Sequence, residues 1–104
     1  MAQLKVFWTE TAIKQRNYIF EYWNERNKST EYSKNLNTKI IERISLLKTQ
    51  PKSGRRSDFK DIRVVSLGHY SILYKFDKQK ITIAGFWDNR QDPNKLLEFF
   101  KTNN

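Results

Sequence analysis

The sequence predicts an α+β domain, a helical hairpin packed on a small antiparallel sheet in the order β-α-α-β-β-β-α. Two observations carry this expectation. The spacing of apolar residues changes from alternation to helical spacing near residue 9 and returns to alternation after residue 60. The second alternating stretch is broken only at Gly68 and at the polar DKQK of residues 77–80, which read as the turns of a meander. At 104 residues the chain suits one domain spanning 1–104, with no linker or internal repeat.

Residues 4–8 (LKVFW) alternate, with Leu4, Val6 and Trp8 on one side, and read as a short strand. Thr9 is a candidate N-cap, and Glu10 places a carboxylate in the first turn, where it complements the helix dipole. Ala12, Ile13, Ile19, Phe20 and Trp23 then recur at helical spacing, which predicts a first helix over about residues 10–26. Ser29 and Thr30 are two candidate caps for a second helix. Its stripe of Leu36, Ile40, Ile44 and Leu47 gives one apolar face. Pro51 ends that helix near Thr49 or Gln50, because the residue before a proline avoids the helical region.

Residues 51–60 (PKSGRRSDFK) lack periodicity and read as a loop. Three alternating segments follow. The first, Asp61–Leu67, sets Ile62 and Val64 opposite Arg63 and Val65. The second, His69–Phe76, sets Tyr70, Ile72, Tyr74 and Phe76 opposite His69, Ser71, Leu73 and Lys75. The third, Lys80–Trp87, sets Ile81, Ile83 and Trp87 opposite Thr82, Ala84 and Phe86. Asp92 and Pro93 suit the N-cap and first turn of a last helix over Asn94–Phe100.

Composition narrows the function. Fifteen aromatic residues against only three alanines mean that large rings supply much of the core. The chain has no cysteine, which removes disulfides, thiolate catalysis and Cys-ligated metals. A single histidine, His69, argues against a His-rich metal site, so neither a metal nor another cofactor is expected. There is no signal-peptide pattern and no apolar run near the roughly 20 residues that span a bilayer. Cytoplasmic residence without a membrane partner is the expectation. Twenty Lys and Arg against eleven Asp and Glu leave a net charge of +9, suited to nucleic acid or to an acidic protein.

Three places are candidates for chemistry. Residues 48–63 carry six basic side chains against Asp58 and Asp61, so this sixth of the chain holds a net charge of +4. Within it Lys52, Arg55, Arg56 and Lys60 are candidate nucleic-acid contacts, and Phe59 either stacks on a base or tucks into the core edge. The plain alternative is a solvated loop. Strand parity also predicts an open sheet face bearing Arg63, His69, Ser71, Lys75 and Thr82, with Arg90 just beyond the last strand. That set would form an anion site in which His69 serves as general acid or base and the arginines stabilise an anionic intermediate. In the last place, residues 86–93 (FWDNRQDP), Asp88 beside Arg90 reads as an ion pair rather than an acid–base couple. Tyr18, Tyr22 and Tyr32 on the helical hairpin are either a docking surface or core.

The loop PKSGRR, the hairpin IRVVSLGHYSILYKF and the tail ITIAGFWDNRQDP, in that order in a short basic chain, resemble the RelE/ParE superfamily of bacterial toxins from type II toxin–antitoxin modules. The resemblance spans residues 4–97 and is most specific over 62–93. It implies a plasmid-stabilisation-type toxin that arrests growth and is neutralised by a cognate acidic antitoxin. The superfamily implies two mechanisms. RelE-like members cut messenger RNA in the ribosomal A site with basic side chains on the sheet, whereas ParE-like members inhibit DNA gyrase and lack that set. Arg63 matches a basic ribonuclease position on the strand after the loop, and Arg90 matches the arginine after the last strand. Ser71, however, stands where the ribonuclease has an arginine, and Leu96 stands near its C-terminal tyrosine.

The resemblance therefore leans to gyrase inhibition. The alternative is a metal-independent mRNA interferase that would use Arg63, Arg90 and His69. A further alternative is a degenerate toxin that acts only as a nucleic-acid-binding module.

Overall fold

The computed structural model describes residues 4–59 and 61–91. Its elements are β1 (Lys5–Trp8), α1 (Glu10–Asn27), α2 (Glu31–Thr49), β2 (Arg55–Arg56), β3 (Arg63–Leu67), β4 (Tyr70–Phe76) and β5 (Lys80–Asp88). The expected helix over 94–100, its cap Asp92, Leu96 and the candidate contact Lys60 lie outside the described residues.

The helical hairpin forms where the sequence places it. Thr9 is extended, and its hydroxyl accepts from the Ala12 amide at 3.1 Å, which satisfies one orphan donor of the first turn. Lys28 closes α1 in the left-handed region at φ 52°, its N–H donating to the Asn24 carbonyl. At the start of α2 the Ser29 hydroxyl accepts from the Glu31 amide at 3.1 Å. Buried Ser33 then ties the helices together, donating to the Phe20 carbonyl at 3.0 Å and to Asn24 Oδ1 at 2.6 Å. The stripe of Leu36, Ile40, Ile44 and Leu47 is buried against the sheet, together with Ala12 and Ile19 of α1.

The sheet has five strands in the order β1-β5-β4-β3-β2. Strands β3, β4 and β5 form the expected antiparallel meander, and Gly68 turns at φ +62° between the first two. Three expectations are corrected. The sheet is mixed, because β1 runs parallel to β5 with Val6 opposite Ile81. The cause lies in the segment read as loop: Arg55 and Arg56 form a strand antiparallel to β3, opposite Val64 and Arg63. That strand reverses the chain before β3 begins, so β3 points along β1, and two antiparallel turns later β5 does too.

The second correction concerns Arg63. Residues directly opposite in an antiparallel pair share a face, and Arg63 lies opposite Tyr74. It is therefore on the helix-facing side with Val65 and Leu67. The other face carries Val64 and buried Leu73, with half-buried Phe59, Ile62 and Trp87 packed on them as a second, small cluster. Phe59 is thus tucked into the core edge. The third correction is a register irregularity in β5. Gly85 lies opposite Leu73 but Ile83 lies opposite Tyr74, so one residue, Ala84, is extra. This bulge sends Ile83 and Phe86 to the same face, and Trp87 to the other. Phe86, buried, stacks on Tyr70 with ring centroids 5.2 Å apart.

Tyr74 is fully buried at the centre of this arrangement. Its hydroxyl accepts from the Gly54 amide at 2.9 Å and donates to the Pro51 carbonyl at 2.7 Å. A Cβ on Gly54 would fall inside van der Waals contact with that hydroxyl, so no other residue fits there without displacing the ring. Tyr74→Phe leaves the buried Gly54 amide unsatisfied, and urea unfolding should show a loss of about 1–3 kcal/mol. Tyr18→Phe, at an exposed tyrosine, should stay within about 0.5 kcal/mol of the parent. Equal midpoints for the two variants would contradict this account of the Tyr74 latch.

Candidate functional site

The charged groups of the sheet gather at two ends of β4. At one end is the turn of residues 51–54, joined to β2. Arg63 reaches it from the side, one terminal nitrogen of its guanidinium donating to the Gly54 carbonyl at 2.8 Å and to the Lys52 carbonyl at 3.2 Å. Held by Tyr74 and Arg63 together, this segment is fixed rather than free. Lys52, Arg55 and Arg56 are exposed upon it. Because Arg55 pairs with Val64 and Arg56 with Arg63, the two neighbouring arginines project to opposite faces of the sheet.

At the other end, Arg90 follows β5 and folds back on Asp88. Its Nε and terminal nitrogen meet the two carboxylate oxygens at 2.9 and 2.8 Å, and its backbone amide donates to the same carboxylate. The guanidinium beside Asp88 holds that carboxyl below the usual carboxylate range, and Asp88 in turn raises the Arg90 value. The pair remains partly exposed, so its worth is of order 0.2–1 kcal/mol. The expected ion pair is present.

Arg90 also lies over two rings, 5.7 Å from the Trp23 centroid and 5.8 Å from that of Tyr70. These rings belong to a hydrogen-bonded group that joins both helices to the sheet. Trp23 Nε1 donates to the Tyr70 hydroxyl at 3.1 Å, and that hydroxyl shares a 2.9 Å hydrogen bond with Tyr32. Burial, followed by the Tyr32 hydroxyl, pushes the Tyr70 phenol up to about 12. Tyr32 is thus partly buried in the cluster, while Tyr18 and Tyr22 are exposed on α1. His69 is exposed in the β3–β4 turn, and its carbonyl accepts from the Asn89 amide at 2.8 Å. Asn89 accepts in turn from buried Ser71 at 2.7 Å.

The structure brings His69 and Arg90 to one end and leaves Arg63 at the other. Arg63 lies opposite Tyr74, whereas Asp88, two residues before Arg90, lies opposite Tyr70. Four residues of strand amount to about 13 Å. Nothing in the sequence signals the Trp23–Tyr32–Tyr70 group, whose members lie up to 47 residues apart.

A helical hairpin thus lies on one face of the β3–β4–β5 meander, with exposed cations at both ends of the central strand. The family described as the ParE toxin of the type II toxin–antitoxin system, parDE, matches residues 6–93, and the chain belongs to it. It is accordingly a toxin of a type II toxin–antitoxin module, with a cognate antitoxin as its partner. Among solved structures it is similar to the one described as the chromosomal ParDE TA system from P. aeruginosa, with a TM-score of 0.69 at 18% identity. That likeness covers 81% of this chain and 94% of the other, and it shows the fold. No curated protein matches the sequence. Among the described residues no helix is long and apolar enough to cross a membrane.

The raised Tyr70 value has a sign. The folded state holds the phenolic proton above the ordinary value of 10.0, so this group's stabilisation is complete below pH 10 and is lost as pH rises towards about 12. The urea midpoint of the parent should fall across that window, and in Tyr70→Phe the fall should be shallower. Parallel curves for the two proteins would show that Tyr70 is not the group responsible.

Proposed function

We propose that this toxin arrests growth by inhibiting DNA gyrase, and that in the cytoplasm a cognate acidic antitoxin holds it inactive. The observation that carries this reading is the separation of Arg63 from Arg90. Cleavage of RNA at one phosphate requires the 2′-hydroxyl activated, the phosphate charge stabilised and the leaving oxygen protonated by groups within about 3 Å of the reacting atoms. Arg63 is turned to backbone carbonyls and Arg90 to Asp88, and the strand positions of Arg63 and Asp88 lie about 13 Å apart along β4. Inhibition by binding makes no such demand. It needs a rigid surface with groups placed over a wide area, and membership of the ParE family supports that reading.

The charge supports the acidic antitoxin. With a net +9 concentrated on exposed side chains, encounter with an acidic segment is accelerated by long-range attraction that salt screens.

The test uses purified toxin freed of antitoxin, added to a gyrase supercoiling reaction and, separately, to ribosomes programmed with messenger RNA. Supercoiling should stop while the messenger stays intact. Codon-phased cleavage of the messenger with supercoiling unaffected would overturn the proposal in favour of the ribonuclease reading, with Arg63, Arg90 and His69 as its residues. The on-rate of the antitoxin should fall by roughly tenfold or more between low and physiological salt.

A further inference from the structure

At the Arg63 end, β4 and β5 outrun β3. Strand β3 starts opposite Tyr74, so Lys75 and Phe76 have no described partner on that side, while the β4–β5 hairpin continues to Asp77. The step is bounded across from the hairpin by Lys52, residues 56–59 and residues 61–63, which leaves a cleft of about 1030 Å³. Its walls carry Lys52, Arg56, Arg63, Lys75 and Lys80 against Asp58, Asp61 and Asp77.

None of those five cations makes an ion pair among the described residues, where the pairs are Lys14–Glu10, Lys28–Glu25 and Arg90–Asp88. Arg63 spends its hydrogen bonds on neutral carbonyls and so keeps its charge uncompensated. Asp77 caps the β4–β5 turn: its Oδ1 accepts from the Gln79 and Lys80 amides at 2.8 and 2.9 Å, and those bonds hold its carboxyl below the ordinary value, so the five cations outnumber three carboxylates. The cleft therefore presents an excess of fixed positive charge along two walls.

Beside it lies a half-exposed aromatic ring that belongs to neither apolar cluster. Phe7 of β1 is 52% exposed and shares the sheet face of its partner Thr82, which lines the cleft. The Lys80 ammonium sits 5.7 Å from its centroid, so ring and cation are presented together. A positive groove flanked by an exposed ring is the arrangement that holds single-stranded nucleic acid, with phosphates on the cations and a base on the ring. A peptide of acidic residues alone would use the cations but has no flat group for Phe7, whereas every nucleotide carries both a phosphate and a π-face.

We propose that this cleft and Phe7 form a binding site for single-stranded nucleic acid. The site lies away from Arg90 and His69, and it does not depend on the gyrase reading. Its test contains neither gyrase nor antitoxin, so each can fail without the other.

The probe is a fluorescein-labelled 20-mer of thymidylate, titrated with antitoxin-free toxin and read by anisotropy at several salt concentrations. The logarithm of the affinity should fall linearly with the logarithm of salt. Lys75→Glu combined with Lys80→Glu should weaken binding at least tenfold and make the slope shallower by roughly 1.4, at about 0.7 for each lost phosphate contact on a single strand. Phe7→Ser should weaken binding by roughly tenfold with the slope unchanged, because it removes stacking and no charge. Lys34→Glu combined with Lys39→Glu makes the same charge change on exposed positions of α2 and should leave the affinity within about twofold.

All the substituted side chains are exposed, and urea midpoints equal to the parent's verify that each variant is folded. Three results would overturn the proposal. One is no binding by folded parent protein. Another is an equal loss in the α2 control, which would reduce the effect to overall charge. The third is displacement of the strand by a glutamate peptide of equal charge as readily as by unlabelled strand.

Discussion

The hydroxyl of Tyr74 is the constraint on which the charged surface depends. Strand β4 has a neighbour on each side, the helices over one face and the Val64–Leu73 cluster on the other, so its residues from Tyr70 to Tyr74 are all buried. A polar atom on such a strand has to find a protein partner, since water does not reach it and an unpaired group there costs about 1–3 kcal/mol. Tyr74 finds the turn at Pro51 and Gly54. Tyr70, at the strand's other end, finds Trp23 and Tyr32, and Ser71 finds Asn89. Each of these partners adjoins a charged group: Lys52 and Arg55 at the first, Arg90 at the others. The positions of the exposed cations are thus inherited from three hydroxyls on the most deeply buried strand.

This arrangement bears on how a strongly basic domain of this size binds. An arginine on a free loop loses conformational entropy when a partner orders it, of order 1 kcal/mol or more for each side chain and again for each backbone residue. Here the backbone of the 51–56 segment is already ordered by Tyr74, by Arg63 and by its pairing with β3, so only side-chain rotamers remain to be fixed. The cost is partial commitment of Arg63 itself. Its guanidinium is a prop whose charge still adds to the local field while its donors are turned inward.

Much of the architecture was legible in the residues. Thr9, Ser29 and Gly68 act locally, through a cap or a left-handed turn, and local signals survive in the sequence. The stripe of Leu36, Ile40, Ile44 and Leu47 marks its own buried face. What was not legible depends on partners distant in the chain. A strand of two residues, Arg55–Arg56, leaves no alternation to detect, and without it the parallel pairing of β1 with β5 does not follow. Strand parity, with Ile62 and Val64 opposite Arg63, puts Arg63 on the open face. The register with Tyr74 decides otherwise, and the charge is accommodated there by two carbonyls and the Phe76 ring, 5.8 Å away. The hydroxyl links of Tyr70 and Tyr74 bridge 20 to 47 residues and carry no motif.

The bulge at Ala84 shows how far a single residue governs the Arg90 end. In a regular strand β5 would keep Ile81 and Ile83 under the helices and, by parity, send Gly85 and Trp87 there too, with Phe86 and Asp88 on the other face. With one extra residue the second half of the strand is inverted. Phe86 comes under the helices and stacks on Tyr70, while Trp87 turns to cover Leu73 and Val64. Asp88 moves with Phe86 to the helix side, opposite Tyr70, which is where Arg90 must be anchored to reach both the Trp23 and the Tyr70 rings. Removing the bulge would therefore separate Arg90 from its aromatic support and expose Phe86 in one step, even though the bulged residue touches neither of them in sequence. The geometry of this end follows from strand register, and register is fixed by the competition between two apolar clusters for the side chains of β5.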